Sequence, residues 1–580
     1  MRGMLGRILL FGVIAGVACL HLGMVGMVGS FQERTVLDLS MVVEDGGVGL
    51  GFLMPFLAIL VIANRAAAPR LQEEVPTGPG RRLLSGTVAG AAGGVALASL
   101  ALLADSNAAA SVLVNARPPL ANILWLGLEP VPGSLMLVAG GTLAGLVGSA
   151  LVLLPGLAAR AAIVAGLAVL LVALLEPFLS VILANVGLEF VEDLVYARGA
   201  LQLPAAVVIA ALAGGALYAG RSGGALRGRG QALATGSRAN LVRWALLGVA
   251  FVLLLLLPQI VGRRLSDVVT QVGLFVLLGL GLNIVVGFAG LLDLGYVAFY
   301  AVGAYTVGVF TSPGSPAFAP GLPFWVSLPF VILLSVTIGL MIGAPVLRLR
   351  GDYLAIVTLG FGEIARILVG SAWLQPYLGG AQGITRIPPA EPFERAPESV
   401  YYPILAFCVV AALVAISLAN SRVGRAWNAM REDESAAEAS GVNTIVYKLL
   451  AFAIGAAIGC IAGAFFSAKI GTIFPNSFNI LISINTLALI ILGGMGNIAG
   501  VIVGALVLVG LPELLREFEA YRLLIYGAVL VAMMLLRPEG LLPSRQRAAE
   551  LHEESEEEAG EGEQPTAPTS RKPAEASIGP

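Results

Sequence analysis

The sequence predicts an all-α, polytopic helical membrane protein, and two observations point to this class. Hydrophobic residues make up 58% of the 580 residues and charged residues only 12%, whereas a soluble domain carries about 25% charged residues. Apolar runs near the length of about 20 residues that crosses a bilayer as a helix recur along most of the chain. The 73 glycines suit close packing of helices in lipid.

About sixteen apolar segments are candidate membrane spans. They are predicted at residues 9–28, 48–63, 83–103, 134–154, 161–179, 204–220, 244–261, 272–287, 294–310, 324–347, 353–369, 402–418, 449–468, 480–492, 499–514 and 523–536. The short segments 353–369 and 480–492 are alternatively re-entrant or interfacial, which would change the count.

Charge placement predicts the orientation of these spans. Basic residues gather in alternate loops and the final segment, and by the positive-inside rule that side is cytoplasmic, together with both termini. These residues include Arg65, Arg70, Arg81, Arg82, Arg160, Arg221, Arg227, Arg229, Arg238, Arg243, Arg348, Arg350, Arg422, Arg425, Arg431, Lys448 and Arg537. Arg263 and Arg264 are the main exception.

The chain divides into three predicted parts. Residues 1–240 hold about six spans and end in a basic Gly/Arg-rich linker, 221–243. Residues 241–542 hold the remaining spans. Residues 543–580 are rich in Glu, Ala, Pro and Ser, and lack the apolar content to fold, which predicts a disordered acidic cytoplasmic tail.

Residues 421–448 are a polar segment between two apolar runs. Asp433 is suited to cap a short helix and Gly441 to end it. A short, punctuated polar helix between two spans is typical of a loop that docks a cytosolic partner, although a plain solvated loop has the same composition. The candidate docking residues are Arg425, Arg431, Glu432, Glu434, Glu438 and Gly441.

Several function classes are disfavoured. The chain has only two histidines and three cysteines, without CxxC or HExxH spacing, so no metal site is predicted. It has no GxxxxGK[ST] phosphate loop and therefore no P-loop ATPase of its own. The net charge of −2 gives no sign of nucleic-acid binding. We expect a chain that is not an enzyme.

Polar residues within or beside apolar runs are the remaining signal, because such groups usually face a cavity or pair with one another. They are Asn283, Asp293, Glu363, Arg366 and Asn485. Glu363 and Arg366 are three residues apart, which favours a structural intramembrane pair over a substrate site. Glycines at 287–290 and 493–496 interrupt two apolar segments, a pattern from which transporters build substrate sites.

Five motifs resemble the LivM-type permeases of branched-chain amino acid ABC importers. They are GLNIVVGFAGLLDLGYVAFYAVGAYT (281–306), LRLRGDYLAIVTLGFGEIARI (347–367), the loop segment ending at Lys448, LGGMGNIAGVIVGA (492–505) and LLRPEGLL (535–542). They occur in the family's order and spacing over about 270 residues, and leave residues 1–240 as an N-terminal extension.

The resemblance implies an ABC importer permease-like bundle in the bacterial cytoplasmic (inner) membrane. Its expected partners are a second, LivH-like permease, two cytosolic ATPase subunits, a periplasmic or extracellular solute-binding protein and the lipid bilayer. The chain itself is expected to bind no cofactor, because the ATPase subunit uses the ATP. In this family the docking loop carries a glutamate-to-glycine motif that residues 434–441 match only loosely.

The resemblance also implies a substrate path, for which Asn283, Asp293, Tyr296 and Asn485 are the candidate lining residues. The expected substrates are leucine, isoleucine and valine. Two alternatives remain open from the residues: a permease for urea or short-chain amides, and an ion-coupled secondary amino acid transporter.

Overall fold

The structure is helical through nearly all of the chain that it describes. A computed structural model describes residues 2–32, 34–38, 47–68, 78–106, 113–222, 239–316, 319–346 and 352–514, with 524, 527–528, 531, 533 and 540–542. Most of the predicted linker and all of the predicted tail lie outside these residues, as does most of the predicted span 523–536.

Ten helices in the described ranges are long and apolar enough to cross a membrane, which confirms the predicted class. They cover Leu50–Ala67, Pro79–Asp105, Pro130–Leu153, Gly156–Leu174, Phe251–Phe288, Phe324–Pro345, Tyr353–Gly370, Pro397–Ala419, Thr444–Ile470 and Pro475–Gly493. Five apolar helices are shorter: Leu9–Met24, Glu176–Val186, Leu203–Leu217, Val297–Thr311 and Ile498–Glu513. The count of sixteen spans is therefore not confirmed.

The chain forms two compact units that divide after Leu265. The dividing helical run, Ala239–Asn283, joins the predicted spans 244–261 and 272–287. It is broken at Gly262, whose φ of 73° and ψ of 178° are not helical, so it consists of two helices joined at that glycine.

The first unit is a helical bundle with a small sheet. Its other helices are Arg2–Met24, Met27–Ser30, Leu50–Ala67, Pro79–Asp105, Pro118–Trp125, Pro130–Leu153, Gly156–Leu174, Glu176–Val186, Glu189–Val195 and Leu203–Ser222. The helices Pro79–Asp105 and Pro130–Leu153 pack closely through glycines. A Cβ on Gly90 would lie 2.3 Å from the carbonyl oxygen of Gly141, and a Cβ on Gly145 would lie 2.4 Å from the carbonyl oxygen of Gly86. Small residues at such contacts let helix backbones approach one another in lipid.

A four-stranded sheet in the first unit was not expected from the sequence. Its order is Gly47–Gly49, Thr35–Asp38, Ala200–Gln202 and Tyr196–Ala197, with a parallel pairing in the centre and antiparallel pairings outside. The strands are only two to four residues long, so no alternating pattern marks them in the sequence.

An ion pair fixes one helix end beside this sheet. Arg34 Nη1 lies 3.1 Å from Glu176 Oε2, and Arg34 Nη2 donates to the carbonyls of Ala173 and Leu174 at the end of one helix. Glu176 begins the next helix, with Pro177 at its second position. A positive charge at a helix C-terminus and a negative charge at a helix N-terminus are both favourable.

The second unit, from Ser266, is built around the Thr444–Ile470 helix. Its other α-helices after Asn283 are Val297–Thr311, Phe324–Val346, Asp352–Gly370, Gln375–Leu378, Pro397–Ala419, Arg422–Glu432, Glu434–Ala439, Ile480–Gly493, Ile498–Ala505 and Leu511–Leu514. Ile284–Phe288 and Leu506–Gly510 are π-helical turns, and Gly380–Gln382 and Pro475–Phe478 are 3₁₀ turns. The central helix buries Phe452, Phe465 and most of its small residues.

Close backbone contacts seat the central helix against the Val297–Thr311 helix. A Cβ on Gly303 would lie 1.9 Å from the carbonyl oxygen of Cys460, and one on Gly463 would lie 1.9 Å from that of Tyr300. No side chain fits at either position, so these glycines set the distance between the two helices.

Candidate functional site

The first candidate feature is a buried break in the helical path, residues 284–296, which we call the first break. The helix ends in the π-turn Ile284–Phe288, Gly290 has a φ of 72°, and α-helix resumes only at Val297. All but a few of these residues are buried. Non-helical backbone at membrane depth is tolerated only where protein buries it or where it lines a cavity.

Hydroxyl groups on two neighbouring helices, Asp352–Gly370 and Ile480–Gly493, hold the first break. The amide of Leu294 donates to Thr358 Oγ1 at 3.1 Å, and the amide of Val297 donates to Ser483 Oγ at 2.8 Å. Thr358 and Ser483 are themselves buried, although neither stood out in the sequence. Serine and threonine within apolar runs are common in membrane helices, so only the structure separates these two from the rest.

The structure places three of the four path candidates at the first break. Asn283 and Asp293 are each 1% exposed, and the buried Tyr296 donates from its hydroxyl to the carbonyl of Gly455 at 2.7 Å. Asn485 is only partly buried on the Ile480–Gly493 helix, and no hydrogen bond of the described residues joins it to the other three. The place of all four residues on a substrate path stays a prediction.

Two polar atoms at the first break are buried without a partner. Asp293 Oδ1 accepts from the amide of Gly295 at 2.8 Å, but Asp293 Oδ2 accepts no hydrogen bond from the described residues. The amide nitrogen Asn283 Nδ2 likewise finds no acceptor among them. Because buried polar groups are normally hydrogen-bonded, these two atoms mark a place where a polar ligand or water would be stabilised.

The second break, residues 494–497, separates the Ile480–Gly493 and Ile498–Ala505 helices. Gly494 and Gly496 have φ values of 114° and 75°, which favour glycine. Both glycine-rich interruptions predicted from the sequence are therefore present. The two breaks touch, because the amide of Gly496 donates to Asn283 Oδ1 at 2.9 Å.

A short piece of the LLRPEGLL motif closes over the second break. The amides of Leu541 and Leu542 donate to the carbonyls of Leu492 and Gly493 at 2.8 and 2.9 Å. In the opposite direction, the side-chain amide of Asn497 donates a hydrogen bond to the carbonyl of Leu542 at 2.8 Å. This segment is thus fastened to the break by three hydrogen bonds.

The docking loop, residues 421–448, folds into two short helices. Ser421 caps Arg422–Glu432, and Asp433 caps Glu434–Ala439 by accepting from the amides of Ser435 and Ala436. Gly441 follows the second helix with a φ of 88°. The predicted cap at Asp433 and the predicted helix end at Gly441 are confirmed.

The two short helices of the docking loop are bonded on their inward face to the start of the Thr444–Ile470 helix, which holds Tyr447 and Lys448. Trp427 is fully buried, and its indole N–H donates to the carbonyl of Tyr447 at 2.8 Å. Lys448 Nζ lies 2.6 Å from Glu434 Oε1 in a pair whose lysine side chain is only 5% exposed. Trp427 was not singled out from the sequence, although a single tryptophan in a polar segment is a signal that could have found it, and Lys448 was named only as a basic residue of the cytoplasmic side.

The six predicted docking residues divide between the two faces. Arg425, Glu432, Glu438 and Gly441 are exposed. Arg431 and Glu434 are half-buried and turn inward, where Arg431 donates to the carbonyl of Gly287 at 2.8 Å. The docking role of all six residues stays a prediction.

The intramembrane pair Glu363 and Arg366 is formed as predicted. Arg366 Nε lies 3.0 and 3.1 Å from the two carboxylate oxygens of Glu363, and Nη2 adds a further bond. Arg366 also donates to Asn476 Oδ1 at 3.2 Å, a contact that the sequence did not indicate. With its charge and donors occupied in this way, the pair has the geometry of a structural element.

An apolar cavity of about 430 Å³ lies between the Val297–Thr311, Phe324–Val346 and Asp352–Gly370 helices. Ala301, Val302, Leu334 and Phe361 are among its lining residues. Its volume is in the range of small-ligand pockets. In the described ranges, no group of three or more His, Cys, Asp or Glu residues could hold a metal ion.

Comparison with known proteins gives one consistent result. A family model described as the permease component of branched-chain amino acid transport systems matches residues 264–535. LivM, the permease protein of the high-affinity branched-chain amino acid transport system, is 41% identical over 312 residues in both Salmonella typhimurium and Escherichia coli. That match covers 49% of this chain and 72% of each relative.

A second type of permease is more distantly similar. LivH of Escherichia coli, a permease protein of the same transport system, is 33% identical over 142 residues, which is 24% of this chain and 45% of the relative. No solved structure gives a significant match.

Proposed function

Because the chain belongs to the family of branched-chain amino acid transport permeases, we propose that it is the membrane subunit through which leucine, isoleucine and valine enter the bacterial cell. It is a multi-pass membrane protein. The observation that carries the proposal is the 41% identity to LivM over 72% of that protein.

Transport is driven by ATP hydrolysis on a separate subunit that docks on the exposed face of the loop 421–448. Arg425, Glu432 and Glu438 are exposed there, while Trp427 and Glu434 on the opposite face bond to the start of the Thr444–Ile470 helix. A rigid element with free charges on one side is suited to pass force from a partner to the spans. The loop is accordingly cytoplasmic, as are both termini.

The substrate path runs beside the two breaks, in contact with a second, LivH-like permease. The aliphatic side chain of the substrate requires apolar walls, and its ammonium and carboxylate require polar partners, since unpaired charges in an apolar interior are unstable. At the first break, Asp293 Oδ2 and Asn283 Nδ2 are buried atoms without a hydrogen-bond partner among the described residues. A solute-binding protein delivers the substrate on the other side of the membrane.

Purification of the tagged chain with its bound proteins, followed by uptake in proteoliposomes supplied with the solute-binding protein, tests this function. Recovery of a P-loop ATPase and a second permease, with ATP-dependent uptake of labelled leucine, is the expected result. Excess unlabelled urea or acetamide should not compete. Uptake that persists without ATP and stops when an ionophore removes the ion gradient would instead indicate a secondary transporter.

A charge reversal tests the docking face. Glu438→Lys should reduce recovery of the ATPase at least tenfold, because like charges placed against one another at an interface cost several kcal/mol and a tenfold loss of affinity needs only about 1.4 kcal/mol. Glu394→Lys is the matched control, since Glu394 is also exposed but lies in the loop at the opposite end of the Pro397–Ala419 helix. Equal recovery with both variants would remove Glu438 from the docking face.

A further inference from the structure

Arg431 links the docking loop to the first break. It lies on the inward side of the Arg422–Glu432 helix, and its Nη1 donates to the carbonyl of Gly287 at 2.8 Å, across 144 residues of sequence. Its aliphatic stem packs on Gly290, where a Cβ would lie 2.6 Å from Arg431 Cγ. The guanidinium and its stem therefore hold both ends of the glycine segment 287–290.

Gly287 is also the point where the two breaks meet. A Cβ on Gly287 would lie 2.1 Å from Asn283 Oδ1 and 2.7 Å from the amide nitrogen of Gly496. Asn283 Oδ1 accepts from that same amide at 2.9 Å. The docking helix, the first break and the second break thus converge on one glycine.

This connection has the properties that mechanical coupling requires. Its members are in direct contact, and coupling between sites is carried by contiguous packed and hydrogen-bonded groups. The bond from Arg431 has a charged donor, which makes it stronger than a neutral one. The segment it holds is a π-turn followed by a glycine of positive φ, so it lacks the regular ladder that would resist a shift.

We propose that Arg431 is a positioning residue that transmits movement of the docking loop, through the Gly287 carbonyl and the Asn283 side chain, to both helix breaks. The proposal rests on the proposed function, because it assigns to Arg431 the step between ATP hydrolysis and transport. Arg431 does not touch substrate in this scheme. It sets the position of the segment that does.

The test compares three variants in the complete transport complex reconstituted in proteoliposomes. Arg431→Met keeps the aliphatic stem on Gly290 and removes the donors, whereas Arg431→Lys keeps one charged donor. Asn283→Leu removes the acceptor at the other end of the connection with little change in volume, and uptake is measured at saturating leucine because Asn283 is also proposed to face the substrate. The readouts are ATPase recovery, ATP hydrolysis and leucine uptake, measured on the same preparation.

Arg431→Met should keep ATPase recovery and hydrolysis but lower leucine taken up per ATP about tenfold, a magnitude typical of coupling between sites. Arg431→Lys should restore part of that ratio. Asn283→Leu should lower the leucine taken up per ATP by a similar factor. The double variant Arg431→Met with Asn283→Leu should be no worse than the poorer of its two single variants, as expected for members of one connection.

Uptake and hydrolysis that fall in proportion, or single effects that multiply in the double variant, would overturn the proposal. Loss of assembly in both single variants would assign the side chains to folding and overturn it equally. Failure of the proposed function is distinguishable, because the unaltered complex would then show no ATP-dependent leucine uptake, whereas failure of the Arg431 proposal leaves that uptake intact.

Discussion

Glu434→Ala should destabilise the second unit because it leaves a buried lysine without its carboxylate. Lys448 Nζ and Glu434 Oε1 are 2.6 Å apart, and the side chains are 5% and 26% exposed. Removing one partner of a fully buried pair costs about 3–5 kcal/mol. Because Glu434 is a quarter exposed, water would solvate part of the orphaned charge, and we expect a loss of about 2–3 kcal/mol.

The measurement is thermal unfolding of the purified chain in detergent. At roughly 2–4 °C per kcal/mol for a domain of 150–250 residues, the loss corresponds to a Tm lowered by about 4–12 °C. Glu438→Ala is the matched control, since Glu438 is on the same short helix but exposed, and it should change stability by less than about 0.5 kcal/mol.

A double variant separates the lost pair from the unpaired charge. Glu434→Ala with Lys448→Met removes both charges and keeps the lysine stem, so most of the stability should return. If the double variant is as unstable as Glu434→Ala alone, the destabilisation does not come from an uncompensated lysine. A Tm for Glu434→Ala that equals the control value would refute the reasoning outright.

Two further variants test packing and hydrogen bonding in the same unit. Trp427→Phe keeps an aromatic ring but removes the indole N–H that donates at 2.8 Å and some buried volume, so thermal unfolding should show a loss of about 1–3 kcal/mol. An unchanged Tm would mean that the bond contributes nothing net. Gly303→Ala places a Cβ 1.9 Å from a backbone carbonyl oxygen and should cost about 1–3 kcal/mol or prevent folding. Gly360→Ala, which meets nothing within 4 Å, should be neutral or stabilising by up to about 1 kcal/mol, and the same sign for both glycine variants would contradict the close approach.

Helix caps, helix ends and ion pairs could be predicted from the sequence where the interacting residues are close to each other along the chain. The cap at Asp433, the helix end at Gly441 and the pair Glu363–Arg366 all involve partners within four residues, and each is present. The glycine interruptions were equally legible, because glycine within an apolar run both weakens a helix and permits positive φ. The boundaries and the number of the spans could not be predicted from the sequence. Helices beside a break are shorter than the length that crosses a bilayer, so an apolar run there does not show whether it is a span.

Contacts between distant parts of the chain could not be predicted. The strand Thr35–Asp38 pairs with Ala200–Gln202, more than 160 residues later, and neither is long enough to show a periodicity. Thr358 and Ser483 hold the first break from two different helices, yet each looks like any hydroxyl residue in an apolar run. Such partners follow from how helices pack, which composition alone does not specify.

The docking loop shows most clearly what composition leaves out. Six residues were predicted to dock a partner because all lie in one polar segment, but burial divides them into an exposed set and an inward pair, Arg431 and Glu434. The two sets should respond differently to substitution. If the loop docks a partner as proposed, charge reversal on the exposed set should change how tightly that partner binds, whereas substitution of Arg431 should change how movement of the bound partner reaches the helix breaks. Full binding with lost coupling is therefore the combination that identifies an inward residue, and a change in binding alone identifies an exposed one.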